Sequence, residues 1–167
     1  GLPNVRFQVQ FEPISPSFNG IDKIRFLFSA NPGQPLLPLS EIASGGEMSR
    51  FLLALKVCVT KSDNPVSLLF DEIDSGISGR ISSVIAAAFK DLSIFQQVLC
   101  VTHQPLIAAA ADHHFAVSKK VEQGETSSTI LDLKNYADRQ KELAELAGGE
   151  ITEANNYAAS LLDHHAA

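Results

Sequence analysis

The stretch VSLLFDEIDSG, residues 66–76, decides the fold of this chain. It opens with a short, nearly all-apolar run, Val66 to Phe70, which predicts a parallel strand buried on both faces. The run from Gln97 to Val101 repeats the pattern, and residues 82–92 between them have helical composition. Strand, helix and strand in this order predict a right-handed crossover and two neighbouring parallel strands. We therefore expect an α/β core.

Two carboxylates, Asp71 and Glu72, follow the first of these strands at its C-terminal end, the edge at which open α/β sheets bind ligands. Paired acids here suit phosphate hydrolysis. Asp71 would hold Mg²⁺, usually through water, and Glu72 would orient or deprotonate the water that attacks a γ-phosphate. The alternative interpretation is a strand that ends in solvated acids or in a helix N-cap.

A histidine, His103, follows the second strand and is therefore expected at the same edge of the sheet, where an imidazole can reach a phosphate oxygen. A structural histidine is the alternative. The residues directly beyond the paired acids, Asp74, Ser75 and Gly76, have the composition of a polar turn. Contact with a partner subunit is the second interpretation of this turn.

The run Ser44-Gly45-Gly46-Glu47 precedes an apolar-rich segment that is predicted to be a helix as far as Thr60. Serine followed three residues later by glutamate is a capping box, and a well-capped helix explains the pattern. The two glycines are not needed for a cap. They let a backbone approach a ligand, and a helix N-terminus offers free N–H groups to an anion. Phosphate binding is the second interpretation.

The segments on either side of this region supply the rest of the fold. Alternating apolar residues predict a strand at residues 5–11 with one buried face, and a second, antiparallel strand near residues 24–28 beyond a Pro- and Gly-containing loop. Further on we expect a helix at 105–111, strands at 115–119 and 129–133, and two closing helices. The closing helices, at 137–147 and 152–164, are expected to cover the domain or to offer a partner surface.

The overall composition narrows the class of protein. With 167 residues, of which 45% are hydrophobic, the chain has the size of one soluble domain with a core. Its apolar runs are too short to span a bilayer, no secretory signal is visible, and Cys58 and Cys100 form no C-x-x-C pair. A cytosolic protein with two reduced core cysteines is expected. The net charge of −6 argues against a phosphate-backbone clamp.

Taken in order, these motifs resemble those of ABC ATPases: an S-G-G-[EQ] signature, a Walker B strand ending in D-E, a D-loop and a switch histidine. The runs FSANPG (28–33), IASGGE (42–47), FDEIDSGI (70–77) and VTHQP (101–105) resemble more narrowly the RecN family of bacterial DNA-repair ATPases, which are similar to structural-maintenance-of-chromosomes proteins. The resemblance extends over most of the chain. It implies an ABC-type P-loop ATPase head with a parallel sheet core, flanking helices and an N-terminal antiparallel strand pair.

The resemblance also implies roles for the motifs. Two heads of such a protein enclose two ATP molecules with Mg²⁺, so that Asp71, Glu72 and His103 serve the nucleotide of their own head. The signature, Ser44 to Glu47, serves the nucleotide of a second, identical head, and the D-loop, Asp74 to Gly76, lies near that partner. The complete assembly would hold DNA in the bacterial cytoplasm, at the nucleoid.

No G-x-x-x-x-G-K-[ST] motif occurs in the chain, so the Walker A loop must lie elsewhere. The resemblance makes residues 1–167 the C-terminal lobe of the head, which a coiled coil separates from the N-terminal lobe. We expect negligible ATPase activity from this lobe alone. The alternatives are the head of another protein of the structural-maintenance-of-chromosomes type, a metal-dependent hydrolase with Asp71, Glu72, Asp74 and His103 as ligands, and a non-enzymatic dimerisation or DNA-binding module.

Overall fold

The computed structural model of the protein describes residues 5–29, 33–41, 45–59, 66–122, 125–149 and 151–165. Twelve helices and strands occur in these ranges, with a 3₁₀ turn at Leu39–Glu41. They are β1 (Arg6–Ser17), β2 (Gly20–Ser29), β3 (Leu37–Pro38), α1 (Gly45–Val59), β4 (Ser67–Phe70), α2 (Gly79–Ser93), β5 (Gln97–Cys100), α3 (Pro105–Ala109), β6 (Phe115–Glu122), β7 (Glu125–Asp132), α4 (Tyr136–Leu146) and α5 (Thr152–His165).

The predicted α/β core is confirmed. β4 and β5 are parallel neighbours, with Ser67 opposite Gln97 and Phe70 opposite Cys100, and α2 connects them. Helix α2 buries its apolar stripe against β4, and the rings of Phe70 and Phe89 lie 5.1 Å apart. The buried cluster that holds this unit together draws on α1, β4, α2 and α3; its members are Leu53, Phe70, Ile73, Ile85, Phe89, Leu92 and Ile107.

The expectation that both core strands are buried on two faces is wrong for this chain. Leu69 remains 71% exposed, and Leu99, its register partner on β5, is exposed as well. The cause is that the helices of the buried cluster pack on one face of the strand pair, while no described residue covers the other face. The near-continuous apolar composition of the two strands therefore indicates that the exposed face is an interaction surface.

The N-terminal antiparallel pair is confirmed, with Phe7 of β1 opposite Phe28 of β2. Two details differ from the expectation. β1 continues through Pro13 to Ser17 with an irregular register, because prolines are tolerated in an edge strand, so the predicted loop shrinks to a tight turn at 18–19. The expected buried face is also wrong, since Phe7 is 44% and Phe11 62% exposed.

The two closing helices cover the domain as predicted. Leu143 of α4 and Ala158 of α5 are fully buried against each other and against α3, in a second core cluster. Asn135 caps α4, where its side-chain oxygen accepts a hydrogen bond from the backbone N–H of Asp138 at 2.9 Å. Such a cap stabilises the helix by about 1 kcal/mol. This cluster includes Ala108 and Ala109 of α3, the helix that begins two residues after His103.

The remaining expectations concern the hairpin, the cysteines and the membrane. β6 and β7 pair from Phe115 opposite Asp132 onward and are longer than predicted. Cys58 is exposed, so its assignment to the core is wrong, because α1 turns its C-terminal half away from the buried cluster. In the ranges that the structure describes, no helix combines the length and the apolar character needed to cross a bilayer.

Candidate functional site

The loops that follow β4 and β5 leave the same edge of the parallel pair. The backbone N–H of Val101 donates to the carbonyl of Phe70 at 2.9 Å, which extends the pairing by one residue past the strands. Asp71 and Glu72 come directly after this point on one strand, and His103 comes just after it on the other. The structure thus brings the three residues predicted to serve one nucleotide to a single edge of the sheet.

Asp71 and Glu72 both present exposed carboxylates. One oxygen of Asp71, Oδ1, accepts the backbone N–H of Glu72 at 2.9 Å, and the hydroxyl of Ser49 on α1 donates to the carbonyl of Asp71 at 3.1 Å. A carboxylate offers about four lone-pair sites, so Asp71 retains capacity for a water in the shell of a magnesium ion. The residues present therefore fit a water-mediated Mg²⁺ site.

Glu72 has an unusual backbone conformation, with a φ of 56°. Its carbonyl accepts the N–H of Ser75 at 3.1 Å, which closes a tight turn directly after the strand. A left-handed conformation costs a residue with a Cβ about 1–2 kcal/mol, and such conformations are concentrated at functional sites. This positive φ is a local strain that the sequence did not disclose, and it lies at a residue predicted to act in hydrolysis.

The first turn of α1 packs against this same turn. A Cβ atom on Gly45 would lie 2.9 Å from Oε2 of Glu72, and one on Gly46 would lie 3.1 Å from the carbonyl oxygen of Glu72 and from Cβ of Ser75. The glycine pair therefore has a packing reason within this chain, alongside the predicted contact with phosphate. Of the other two signature residues, Glu47 is half-buried and Ser44 lies outside the described residues.

Arg50, one helical turn beyond Gly46, was not predicted to belong to the site. Its Nη1 atom donates to the carbonyl oxygens of Ile73 at 3.1 Å and of Ser75 at 3.0 Å, so α1 holds the turn after Glu72 from both sides. The i, i+4 spacing from Gly46 places the two residues on one helix face, and that spacing is the signal that could have identified Arg50.

Asp74 and His103 are in direct contact. Asp74 as a residue is only 3% exposed, and its Oδ2 atom accepts hydrogen bonds from the Thr102 hydroxyl at 2.5 Å and the His103 backbone N–H at 2.8 Å. The imidazole Nδ1 of His103 lies 3.1 Å from the same oxygen, while the ring as a whole is 70% exposed. The other D-loop residues, Ser75 and Gly76, face the solvent.

Burial and negative charge at this edge also affect Cys100, the last residue of β5. Burial, and to a smaller extent the neighbouring charges of Asp74 and Asp71, raise the pKa of its thiol to about 12. The thiol therefore stays protonated at neutral pH and is not a nucleophile. This excludes Cys100 as a nucleophile in the chemistry of the site.

A metal-dependent hydrolase is not supported. Within the part of the chain that the structure describes, no three His, Cys, Asp or Glu side chains converge so as to hold a metal ion. Nδ1 of His103 already faces Asp74, which leaves the four ligands suggested by the sequence without a common centre. The arrangement suits a magnesium ion that is bound mainly by water and phosphate oxygens.

Relatives of known identity were found by sequence, although no protein-family model matches the chain. The DNA repair protein RecN of Synechocystis is 46% identical over 182 residues, which cover 99% of this chain and 31% of that protein. RecN of Vibrio cholerae is 42% identical over 89% of the chain, and RecN of Bacillus subtilis 40% over 87%. The resemblance to RecN is confirmed, and the chain spans about a third or less of the length of these relatives.

Solved structures confirm the fold class. The Smc head domain of Pyrococcus yayanosii, with its coiled coil and joint, superposes with a TM-score of 0.55 at 22% identity, over 87% of this chain and 26% of that one. The Smc head domain of Pyrococcus furiosus with an extended coiled coil gives 0.54 at 24% identity, over 80% and 32%. The chain has the fold of part of an ABC-type ATPase head.

Proposed function

Because the chain matches RecN over nearly its whole length and has the fold of an Smc-type head, we propose that it is the C-terminal lobe, residues 1–167, of the ATPase head of a RecN-like DNA-repair protein. The observation that carries the proposal is the convergence of Asp71, Glu72 and His103 at one edge of the β4–β5 pair. The order and kind of these residues match ATP hydrolysis by an ABC-type head.

Within this proposal each residue has one task. Asp71 holds Mg²⁺ through water, and the ion would neutralise charge on the phosphates when bound. Glu72 orients or deprotonates the attacking water, because its carboxylate is exposed and its backbone is fixed by the turn to Ser75. His103 contacts the γ-phosphate from the neighbouring loop. All three serve the nucleotide of their own head.

The signature residues, Ser44 to Glu47, serve the nucleotide of a second copy of the head. A helix N-terminus favours anions, and in this chain the carboxylate of Glu72 lies against that end of α1. Glu72 is long and exposed, so its side chain can turn from α1 toward a nucleotide. Binding of ATP between two heads would then draw the two copies together, and hydrolysis would release them.

The N-terminal lobe is proposed as the partner that covers the open face of the core. Leu69 and Leu99 are exposed on strands whose composition is that of buried strands, Val101 is exposed directly after β5, and the phenylalanines of β1 are exposed as well. An exposed apolar patch of this kind marks an interaction surface. The sequence lacks a Walker A motif, and the RecN relatives are at least three times as long as this chain. The lobe alone should therefore not hydrolyse ATP.

DNA is the proposed substrate of the complete assembly, which places the protein at the nucleoid in the bacterial cytoplasm. The net charge of −6 argues that this lobe drives opening and closing, while other parts of the assembly contact the phosphate backbone. Repair of double-strand breaks is the process that RecN similarity favours. The second candidate is the head of another protein of the structural-maintenance-of-chromosomes type, to which the Smc fold match also applies.

A Glu72→Gln substitution in the complete protein tests the proposal. We expect ATP to bind with unchanged affinity, turnover to fall by at least about a hundredfold, and dimers to accumulate with ATP and Mg²⁺, because the site closes without hydrolysing. Binding, phosphate release and light scattering measure the three effects. The matched control is Glu153→Gln on the exposed side of α5, which should behave as the wild type. Wild-type turnover in Glu72→Gln would refute the role of Glu72.

A further inference from the structure

Asp74 is the most deeply buried acid near the site, with 3% of its surface exposed. A buried carboxylate is costly unless hydrogen bonds compensate for the water that it has lost. Here the compensation comes from a single short segment: the Thr102 hydroxyl, the His103 backbone N–H and the His103 imidazole all approach one oxygen, Oδ2, at 2.5, 2.8 and 3.1 Å. Asp74 therefore connects the D-loop to the loop that carries His103.

The imidazole contact fixes which nitrogen of His103 faces outward. A carboxylate only accepts hydrogen bonds, so the ring nitrogen beside Oδ2, Nδ1, must carry a proton. Nε2 is then the nitrogen that is left for a ligand, and the ring is 70% exposed. The backbone bond to the same residue prevents the whole loop from turning away.

We propose that Asp74 is a positioning residue, which acts through His103 by setting the orientation and tautomer of its imidazole. The inference rests on the proposed ATPase function, since it assigns Nε2 as the atom that meets the phosphate or its attacking water. Thr102 supports the arrangement: its hydroxyl donates to Asp74 and accepts the N–H of Gln104 at 3.0 Å, which links the D-loop to the start of α3.

Asp74 could affect activity in two ways: by holding the two loops together, or by orienting the imidazole of His103. The two roles predict different effects on activity when Asp74 is removed. Loss of a loop tie lowers activity whether or not the histidine is present. Loss of an orienting residue matters only while there is a ring to orient, so the effects of removing Asp74 and His103 should not add.

The experiment measures kcat and KM for ATP in the complete protein with four variants: Asp74→Ala, Asp74→Asn, His103→Gln and the double variant Asp74→Ala/His103→Gln. We expect Asp74→Ala to lower kcat about tenfold or more and to change KM less than about threefold, because general acid–base and orienting groups act on the chemical step. In the His103→Gln background the same substitution should change kcat less than about twofold.

Asp74→Asn provides the rescue test. Its carbonyl oxygen can occupy the place of Oδ2, accept the hydrogen bonds of the Thr102 hydroxyl and the His103 backbone N–H, and face the imidazole Nδ1, so it should restore most of the kcat that Asp74→Ala loses. An equal fractional loss of kcat from Asp74→Ala with and without His103 overturns the inference, as does a failure of Asn to improve on Ala.

Should Asp74→Ala fail to fold, the pair Thr102→Val and Thr102→Ser makes the same test. Valine removes the donor to Asp74 and keeps the shape of the side chain, whereas serine keeps the hydroxyl. We expect Thr102→Val to lower kcat only when His103 is present, and Thr102→Ser to retain it. Absence of ATP hydrolysis by the wild-type protein would instead contradict the proposed function, so the two failures are distinguishable.

Discussion

Gly45, in the first turn of α1, lies directly against the carboxylate of Glu72: a Cβ atom at Gly45 would stand 2.9 Å from Oε2. The two residues were assigned from sequence to different nucleotides, one to that of the partner head and the other to that of its own head. Their contact places an acid at the positive end of a helix, where it is stabilised in the absence of phosphate. Under the proposed function, a phosphate at this end of α1 would compete with the Glu72 carboxylate for the same helix N-terminus.

The first prediction concerns the second glycine of the pair. Gly46→Ala should lower the free energy of unfolding by about 1–3 kcal/mol, because the new Cβ would press on the backbone carbonyl of Glu72 and on Ser75, which cannot give way easily. Chemical denaturation of the complete protein measures the change. The matched control is Gly79→Ala in the first turn of α2, where the nearest atom to the new Cβ is 3.9 Å away. Equal stability of the two variants would contradict the packing role of Gly46.

Much of the fold could be predicted from sequence because it is encoded in local patterns. Strand, helix and strand around residues 66–101 follow from composition and spacing alone, and so does the antiparallel pair β1–β2. The burial of these strands could not be predicted correctly. Leu69 and Phe7 are apolar as in buried strands, yet both are exposed, because burial depends on tertiary packing that local composition does not specify.

The site, like the fold, could be predicted only in part from the sequence. The edge that carries Asp71, Glu72 and His103 follows from strand order, but the partners of each side chain do not. Nothing in the turn-like run of Asp74, Ser75 and Gly76 reveals that the Asp74 side chain points inward, because that depends on tertiary packing against Thr102. Arg50 was overlooked for the same reason, since both its acceptors are backbone carbonyls.

The second prediction concerns Arg50. Arg50→Met removes two charge-assisted hydrogen bonds to the carbonyls of Ile73 and Ser75 and should destabilise the protein by about 1–3 kcal/mol. Because the turn after Glu72 loses its support, turnover should fall more than ATP affinity does. Denaturation and steady-state kinetics check the two effects. Arg80→Met, on the exposed surface of α2, is the control and should change the unfolding free energy by less than about 0.5 kcal/mol.

The third prediction compares the two cysteines. Cys100, whose thiol has its pKa raised to about 12, should be alkylated at pH 8 at least about a hundredfold more slowly than the exposed Cys58, because only the thiolate reacts. Mass spectrometry after timed exposure to iodoacetamide measures both rates. In denaturant, where burial and the charges of Asp74 and Asp71 no longer act, the two cysteines should react at similar rates. Fast alkylation of native Cys100 would show that this edge is open to solvent.

The fourth prediction concerns pH. His114 is buried, and its Nδ1 has no hydrogen-bond partner among the described residues. Burial, and secondarily the charge of Arg139, lower its pKa in the folded protein. The folded state therefore binds the proton less readily than the unfolded state, in which a histidine has a pKa of about 6.5. The contribution to stability is present above that pH and is lost as the pH falls through it.

His114→Gln should flatten this part of the pH dependence, because glutamine does not titrate. Unfolding free energies measured at intervals from about pH 7.5 to 5 give the slope, which in the wild type should exceed that of the variant as the pH drops below about 6.5. His113→Gln, at the exposed neighbouring position, is the control and should keep the wild-type slope. If the two variants show the same slope, protonation of His114 does not oppose folding, and the acid sensitivity of the protein has to arise from other groups.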